Sequence, residues 1–348
     1  MRFNIFSALL SLFSGSLAMP GYSFDIEHQQ NFVSRASKPE VLRILSTADI
    51  DLFTPMILSF QNQNPEVTVN YDVVSSTELM RALQDEQAPY DIAVSSAMDL
   101  QIKLANDGLA LAHNSFATAL LPDWGKWHDY VFAFTQEPAT IVLSREAFAD
   151  FGVPETRQDL ISILRDHPDI FRGRVGTYDL RTSGLGYLFA TQDARTSEVF
   201  WRLAEVLGNL NVELYCCSGA MIDDVSRGKI AVAYNVLGSY AMAREDAKDK
   251  ILIIAPRDFT TVMMRTALIP TTSQNPKLAA KFVDHLIVSA WSAEENSGAY
   301  PFPEINRNPA ASDTSLRPIQ MGPGLLVYLD GLKKRRFLTE WQNAILQR

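Results

Sequence analysis

Cysteine is almost missing from this chain: Cys216 and Cys217 are the only two among 348 residues, and they are neighbours. A framework of cross-links between distant segments is thereby excluded, so the fold must rest on a hydrophobic core. The pair itself is open to two states, a strained vicinal disulfide or two reduced thiols. Such a ring encloses no chain to speak of and lacks the usual loop-closing stabilisation. Histidine is scarce too. His28, His113, His128, His167 and His285 share no ligand-like spacing with the cysteines, so no metal site and no cofactor is expected. A Gly-x-Ser-x-Gly elbow, a His-Glu-x-x-His pair, a Walker loop and a dinucleotide fingerprint are all absent, which leaves no catalytic residue to name and points away from an enzyme. Positive charge is in deficit. The net charge of −9 argues against a nucleic-acid-binding face, though an acidic protein still holds an anion where local donors converge.

Long apolar runs are lacking as well: none beyond the N-terminus reaches the ~20 residues that span a bilayer. The first residues join Met1-Arg2, an apolar run from Ile5 to Phe13 and a small-x-small ending at Ser16-Leu17-Ala18. This is a secretory signal pattern, and residues 1–23 are expected to be a signal peptide; the alternative is a buried N-terminal helix. No cysteine follows to carry a lipid, so a free periplasmic protein is expected.

What the chain does contain is a repeated strand–turn–helix plan. Its length exceeds what one core usually supports, so two domains are expected. The segment Phe24–Glu40 is polar and without period, and is expected to lead into the fold without building it. From Val41 to Leu45 a strand pattern runs into Ser46–Asp49, and Phe53, Met56, Ile57 and Phe60 then mark a helix. Val67–Val74 ends in Ser75-Ser76-Thr77 before a second helix, and Tyr90–Val94 ends in Ser95-Ser96 before a third. Three repeats imply a parallel sheet with helices on its faces. Val131–Leu143 is expected to be extended, and a new series follows with strands at Arg174–Tyr178, Ile230–Tyr234 and Ile251–Ile254. Phe259–Ile269 is again extended, and a helix over Leu278–Val288 packs back on the first block. The boundaries read as lobe 1 over 41–135, lobe 2 over 136–262, and a return to lobe 1 with C-terminal helices over 263–348. Two crossings between lobes make a hinge. A last helix is expected over Gly324–Gln347, with Lys333-Lys334-Arg335-Arg336 as a solvated face.

Ligands of open parallel sheets bind beyond the carboxyl ends of the strands, where loops meet helix N-termini. On one side that places Ser46, Thr47, Ser95 and Ser96. On the other stand Arg181, Thr182, Ser183 and Gly184, where hydroxyls, backbone N–H groups and a guanidinium converge as in a metal-free phosphate or carboxylate site. Ser218, at the start of a helix, and Asn235, Ser239 and Tyr240, after a strand, complete the expected ligand-binding set. Thr182, Ser183 and Asp49 equally suit helix capping.

In their order, Leu42–Asp49, Tyr90–Ser96, Gly176–Gly184, Asp224–Tyr240 with Arg227-Gly228-Lys229-Ile230-Ala231-Val232, and Gly322–Asp330 resemble the type 2 periplasmic solute-binding proteins of ABC importers. The resemblance is strongest to the ferric-iron-binding branch and its relatives that bind phosphorylated organic anions. It implies a two-lobed, hinge-linked α/β fold, each lobe a mostly parallel sheet flanked by helices. Ferric-binding members commonly carry a Tyr-Tyr pair where this chain has Leu237-Gly238-Ser239-Tyr240, so a single phenolate is available for a metal that wants several hard oxygen donors. The implied role is capture of a small organic anion, a phosphorylated sugar or a phosphoglycerate-like acid, by a monomer that docks on an inner-membrane ABC permease. Ferric iron is the alternative ligand, and a membrane sensor kinase the alternative partner.

Overall fold

The computed structural model describes residues 23–291 and 313–347. The signal peptide expected over 1–23 therefore lies, except for its last residue, outside the described residues, as does most of the stretch from Pro301 to Pro318.

Among the described residues the strands run in chain order as β1 (His28–Phe32), β2 (Glu40–Ser46), β3 (Val67–Val73), β4 (Ile92–Ser95), β5 (Ala110–Leu111), β6 (Lys126–Trp127), β7 (Val131–Ala133), β8 (Glu137–Ser144), β9 (Val175–Tyr178), β10 (Glu213–Tyr215), β11 (Val232–Leu237), β12 (Ile251–Ile254), β13 (Thr260–Met263), β14 (Thr266–Pro270) and β15 (Leu316–Pro318). They form two sheets. The first has the order β1-β3-β2-β4-β14-β7-β6, with β5 on β14; the second has β10-β9-β11-β8-β13-β15, with β12 on β8.

Local pattern accounts for most of this. In β3 the side chains of Val67, Val69, Tyr71 and Val73 are buried while those between are not, the period-two signature of a strand with one face inward. Strand β4 is wholly buried and opens with the apolar run Ile92-Ala93-Val94, as a strand covered on both faces should. Between β2 and β3 the helix Ile50–Gln63 buries Phe53, Met56, Ile57 and Phe60, a three–four spacing on one face. Phe53 stacks on Tyr71 at 5.2 Å, and Phe60 meets Phe282 of the helix Pro276–Trp291 edge-on at 4.9 Å. Each such fully buried ring contributes about 1.5–3 kcal/mol.

Four expectations are corrected. Phe24–Glu40 does build the fold: His28–Phe32 pairs antiparallel with β3 although its residues are mostly exposed, because an edge strand is held by its backbone ladder and needs no apolar pattern. The sheets are mixed, not mostly parallel. Their centres β3-β2-β4 and β10-β9-β11 are parallel, but β14 and β8, which arrive across the hinge, insert antiparallel to β4 and β11. The strand expected over Ile230–Tyr234 begins its pairing at Val232 and runs to Leu237, with Asn235 at φ +64° where the register shifts. The C-terminal helix begins at Gly331, not Gly324, because Asp330 caps a new helix by accepting from the Leu332 and Lys333 N–H groups.

Among the described residues the chain crosses between lobes at residues 134–136, from β7 to β8, and at 264–265, from β13 to β14; it is in lobe 1 at Trp291 and in lobe 2 again at Leu316. The two crossings are bonded together: Phe134 N–H donates to the Arg265 carbonyl at 3.0 Å, and Arg265 N–H to Thr135 Oγ1 at 2.8 Å. Of the stretch 263–348, β14 and the helix Pro276–Trp291 pack in lobe 1. Strand β15 instead pairs with β13, and the last helix, Gly331–Leu346, packs in lobe 2 with Phe337 stacked on Phe200.

Candidate solute-binding cleft

The loops that leave the carboxyl ends of both sets of parallel strands face one another. From lobe 1 come Thr47–Asp49 after β2, Ser75–Thr77 after β3 and Ser96 after β4; from lobe 2 come Asp179–Gly184 after β9, Cys216–Gly219 after β10 and Gly238–Tyr240 after β11. Three hydrogen bonds join the two sides. Asp49 N–H donates to Tyr240 Oη at 3.2 Å, Gly184 N–H to Ser76 Oγ at 3.0 Å, and the Thr77 hydroxyl to the Thr182 carbonyl at 3.2 Å. The lobes are thus closed. Only glycine permits so close an approach at 184, where a Cβ would lie 2.6 Å from Ser76 Oγ.

Beneath these contacts, at the hinge, sits a buried charged group that sequence reasoning missed. Arg265 places Nε 3.1 Å from Glu137 Oε1 and Nη2 3.3 Å from Glu137 Oε2, and both side chains are fully buried. Glu137 also accepts from the Thr135 hydroxyl at 2.8 Å and from the Ser239 hydroxyl. The third guanidinium nitrogen, Nη1, is buried without a hydrogen-bond partner. The Arg265 guanidinium lies 6.0 Å from the Tyr240 ring centre. Pairing of Thr266 with Ser95 in antiparallel register sets Arg265 one step on, opposite Ser96. A charged residue interrupting the apolar run Val262-Met263-Met264-Arg265, and Glu137 within Val131–Leu143, were the sequence signals for it.

The sequence-selected residues divide by what their polar atoms already touch. Thr47 and Ser96 come together, with hydroxyls 3.3 Å apart and Ser96 N–H donating to Thr47 Oγ1 at 3.1 Å. Tyr240 reaches across to Asp49. Ser183 caps its own helix through Gly186 N–H at 3.1 Å, and Ser95 accepts from Ala97 N–H at 3.1 Å. Ser46 accepts from Ala48 N–H at 3.0 Å and lies 2.7 Å from the Tyr71 hydroxyl, inside lobe 1. Inside lobe 2, Ser218 lies 2.6 Å from the Tyr178 hydroxyl and accepts from Leu237 N–H. Asn235, left-handed at its bulge, donates to Asp193 Oδ2 at 2.9 Å. Ser239 is committed to Glu137. Arg181, Ser183 and Gly184 line a cavity of about 200 Å³ between the lobes, with Asp99, Lys103, Tyr187 and Lys334. There the Arg181 guanidinium forms a two-point pair with Asp179 of its own loop, Nε to Oδ1 at 2.7 Å and Nη2 to Oδ2 at 2.5 Å. The convergence of amides expected at this loop is not formed, because Thr182 and Ser183 N–H both bond the Asp179 carbonyl, Arg181 N–H its carboxylate, and Gly184 N–H bonds Ser76.

Burial sets the electrostatics. It pushes the Asp49 carboxyl up against the opposing pull of Arg265 and His28, and pushes the Tyr240 hydroxyl up despite Arg265. Asp99 rises to about 7 by burial, against the Leu100 N–H bond and Lys334. Within the buried Arg265–Glu137 pair, Arg265 keeps one nitrogen, Nη1, with bonding capacity to spare.

Comparison with known proteins places this geometry. The family model described as bacterial extracellular solute-binding protein matches residues 46–293. The substrate binding protein of the ABC transporter from Agrobacterium tumefaciens is 30% identical, covering 93% of this chain and 100% of its own, with a TM-score of 0.86. AfuA from Actinobacillus pleuropneumoniae, solved with fructose-6-phosphate bound, is 14% identical over 87% and 98% of the two chains with a TM-score of 0.69. Iron-bound HitA from Pseudomonas aeruginosa is 17% identical over 88% and 99%, with a TM-score of 0.67. A search of curated proteins returned no match. The type 2 periplasmic-binding-protein fold inferred from the order of motifs is the one the chain adopts. Two lobes closed over a hinge and a family match across more than two thirds of the sequence lead to one conclusion: the chain belongs to the bacterial extracellular solute-binding protein family.

Proposed function

We propose that the chain is the solute-binding subunit of a periplasmic ABC importer, and that its solute is a small organic anion seated on Arg265 at the floor of the cleft. The observation that carries the anion is the buried Nη1 of Arg265, which has no partner while its sister nitrogens are held by Glu137. A buried N–H left unpaired costs about 1–3 kcal/mol, and a carboxylate or phosphate oxygen meeting a charged donor removes that cost. Tyr240, whose ring centre is 6.0 Å from the Arg265 guanidinium, and Ser96, opposite Arg265 in register, bring hydroxyls to its neighbourhood, and Arg181, Lys103 and Lys334 add positive charge to the separate cavity between the lobes. Closure of the lobes then sequesters the solute for delivery to a membrane permease.

The importer assignment is supported by the Agrobacterium relative, similar along nearly the whole of both chains. AfuA, which is similar in fold, was solved with fructose-6-phosphate bound, and this supports the choice of that ligand for the test. Iron is disfavoured because Fe(III) wants several hard oxygen donors, and the loop Leu237-Gly238-Ser239-Tyr240 offers a single phenol. Among the described residues no three His, Cys, Asp or Glu side chains are placed to hold a metal ion. The test is a melting series with fructose-6-phosphate and 3-phosphoglycerate. Each ligand that binds raises the melting temperature by linkage, and Arg265→Lys, which keeps charge but loses the planar fork, reduces the shift. No shift with any phosphorylated acid or sugar, together with a visible tyrosinate–Fe(III) band, overturns the anion reading.

A further inference from the structure

The cavity of about 200 Å³ between the lobes is lined by neither Arg265 nor Glu137, so it lies apart from the buried pair at the hinge. Lobe 1 lends it Asp99 and Lys103, lobe 2 Arg181 and Tyr187, and the C-terminal helix Gly331–Leu346 lends it Lys334. Its size falls below the ~300–1,000 Å³ usual for drug-sized ligands, so it suits a smaller molecule.

Two of the charges around this cavity are matched within their own elements. Asp179 holds Arg181 at two points, and Lys103 Nζ is 2.5 Å from Asp107 Oδ2 on the same helix. Asp99 and Lys334 differ. Asp99 is 2% exposed; its Oδ1 accepts from the adjacent Leu100 N–H at 2.9 Å, and among the described residues no side chain bonds to the carboxyl. The Lys334 ammonium has no hydrogen bond or ion pair among the described residues, and its Nζ stands 5.2 Å from the centre of the Tyr187 ring. That ring is fixed in turn, by the Tyr187 hydroxyl donating to the Tyr328 carbonyl at 2.6 Å and by edge-on contact with Phe337 at 5.7 Å. A carboxyl from lobe 1 and an ammonium carried on lobe 2 thus border one cavity without meeting in a salt bridge, each with bonding capacity left. Unmatched charge at a buried site is costly, and a ligand that brings the opposite charge to each group removes that cost.

We propose that this cavity is a second ligand site, for a small neutral α-amino acid: Lys334 receives its carboxylate, Asp99 its ammonium, and Leu100, Leu180 and Leu329 its apolar side chain. A simple anion fits less well, because it meets the Asp99 carboxylate; a simple amine meets the Lys334 ammonium. Only a zwitterion satisfies both. Since Asp99 belongs to lobe 1 and Lys334 to a helix packed in lobe 2, such a ligand bridges the lobes and favours their closure. The site stands independently of which solute Arg265 receives.

The experiment is isothermal titration calorimetry of the full chain at pH 8, above the value of about 7 that burial gives Asp99, so that its carboxylate is charged. The probes are L-leucine and L-alanine, each beside the acid and the amine that lack one of its charges: 4-methylpentanoate and 3-methylbutylamine for leucine, propionate and ethylamine for alanine. At least one amino acid should bind, and its acid and its amine should each bind about tenfold or more weakly, through loss of one charge-assisted bond. Asp99→Asn should weaken the amino acid by a similar factor and leave the acid unchanged, whereas Lys334→Met should weaken the amino acid and leave the amine unchanged. The analogues make the same test on the wild-type chain if a variant does not fold. The proposal is overturned if neither amino acid binds, if the acid or the amine binds as tightly as its amino acid, or if either substitution leaves the amino acid's affinity unchanged.

Discussion

Replacing Gly184 by alanine separates the folding of lobe 2 from the closure of the cleft, because it moves the two in opposite directions. Gly184 is the first residue of the helix Gly184–Thr196, where alanine is the better helix former by up to about 1 kcal/mol. Lobe 2 taken alone is therefore held or slightly stabilised. In the closed arrangement, however, the added Cβ would stand 2.6 Å from Ser76 Oγ and 2.9 Å from Leu100 Cδ1, both in lobe 1. Opening the hinge relieves both clashes at once, whereas staying closed means overpacking that costs about 1–3 kcal/mol. That range corresponds to a fall of about 5–150-fold in the closed-to-open ratio. A solute that binds the closed lobes loses apparent affinity in proportion to the closed population. Small-angle scattering on solute-free protein should show a larger radius of gyration for Gly184→Ala, with an unchanged or higher melting temperature. Adding Ser76→Ala should recover part of the closure, since Oγ is the nearest atom. An unchanged radius, or a lower melting temperature at full closure, would refute the reasoning.

At the hinge, Arg265→Met leaves Glu137 buried and uncompensated. It should cost about 3–5 kcal/mol in urea unfolding, while Arg265→Met with Glu137→Gln should recover most of that loss; equal losses in the single and double variants would show that the pair is not coupled. Asp99 gives a pH signature. Its folded pKa of about 7 stands above the ordinary 3.8, so between those values the folded chain holds a proton that the unfolded chain has released. Its contribution is therefore fully present below the unfolded value and is lost as pH rises toward 7, at a slope of at most ~1.4 kcal/mol per pH unit. Asp99→Asn should flatten that part of a melting-temperature profile and raise stability relative to wild type at pH 8; identical profiles would remove Asp99 as the cause.

Hydrophobic periodicity is local, and the elements that rest on it were legible. The alternation in Val67–Val73, the three–four spacing of Phe53, Met56, Ile57 and Phe60, and the recurring strand–polar turn–helix plan follow from residues a few positions apart. Strand β1 was not legible, since its exposed side chains carry no pattern and only the free edge of β3 recruits its backbone. Nor was the antiparallel entry of β8 and β14, because strand direction is decided by which lobe the chain arrives from.

The sequence by itself determined the α/β class, the two blocks, and which loops stand at the carboxyl ends of the parallel strands. Tertiary structure alone decided which polar atoms in those loops remain free. Ser46, Ser218 and Asn235 have the right chemistry but spend it on Tyr71, Tyr178 and Asp193, far away in sequence or behind a bulge. Arg265 keeps one nitrogen unpaired because Glu137, 128 positions earlier, holds only the other two sides of its fork. Hydrogen-bond capacity belongs to a residue type, but whether it is still available depends on partners that only the folded chain brings within reach.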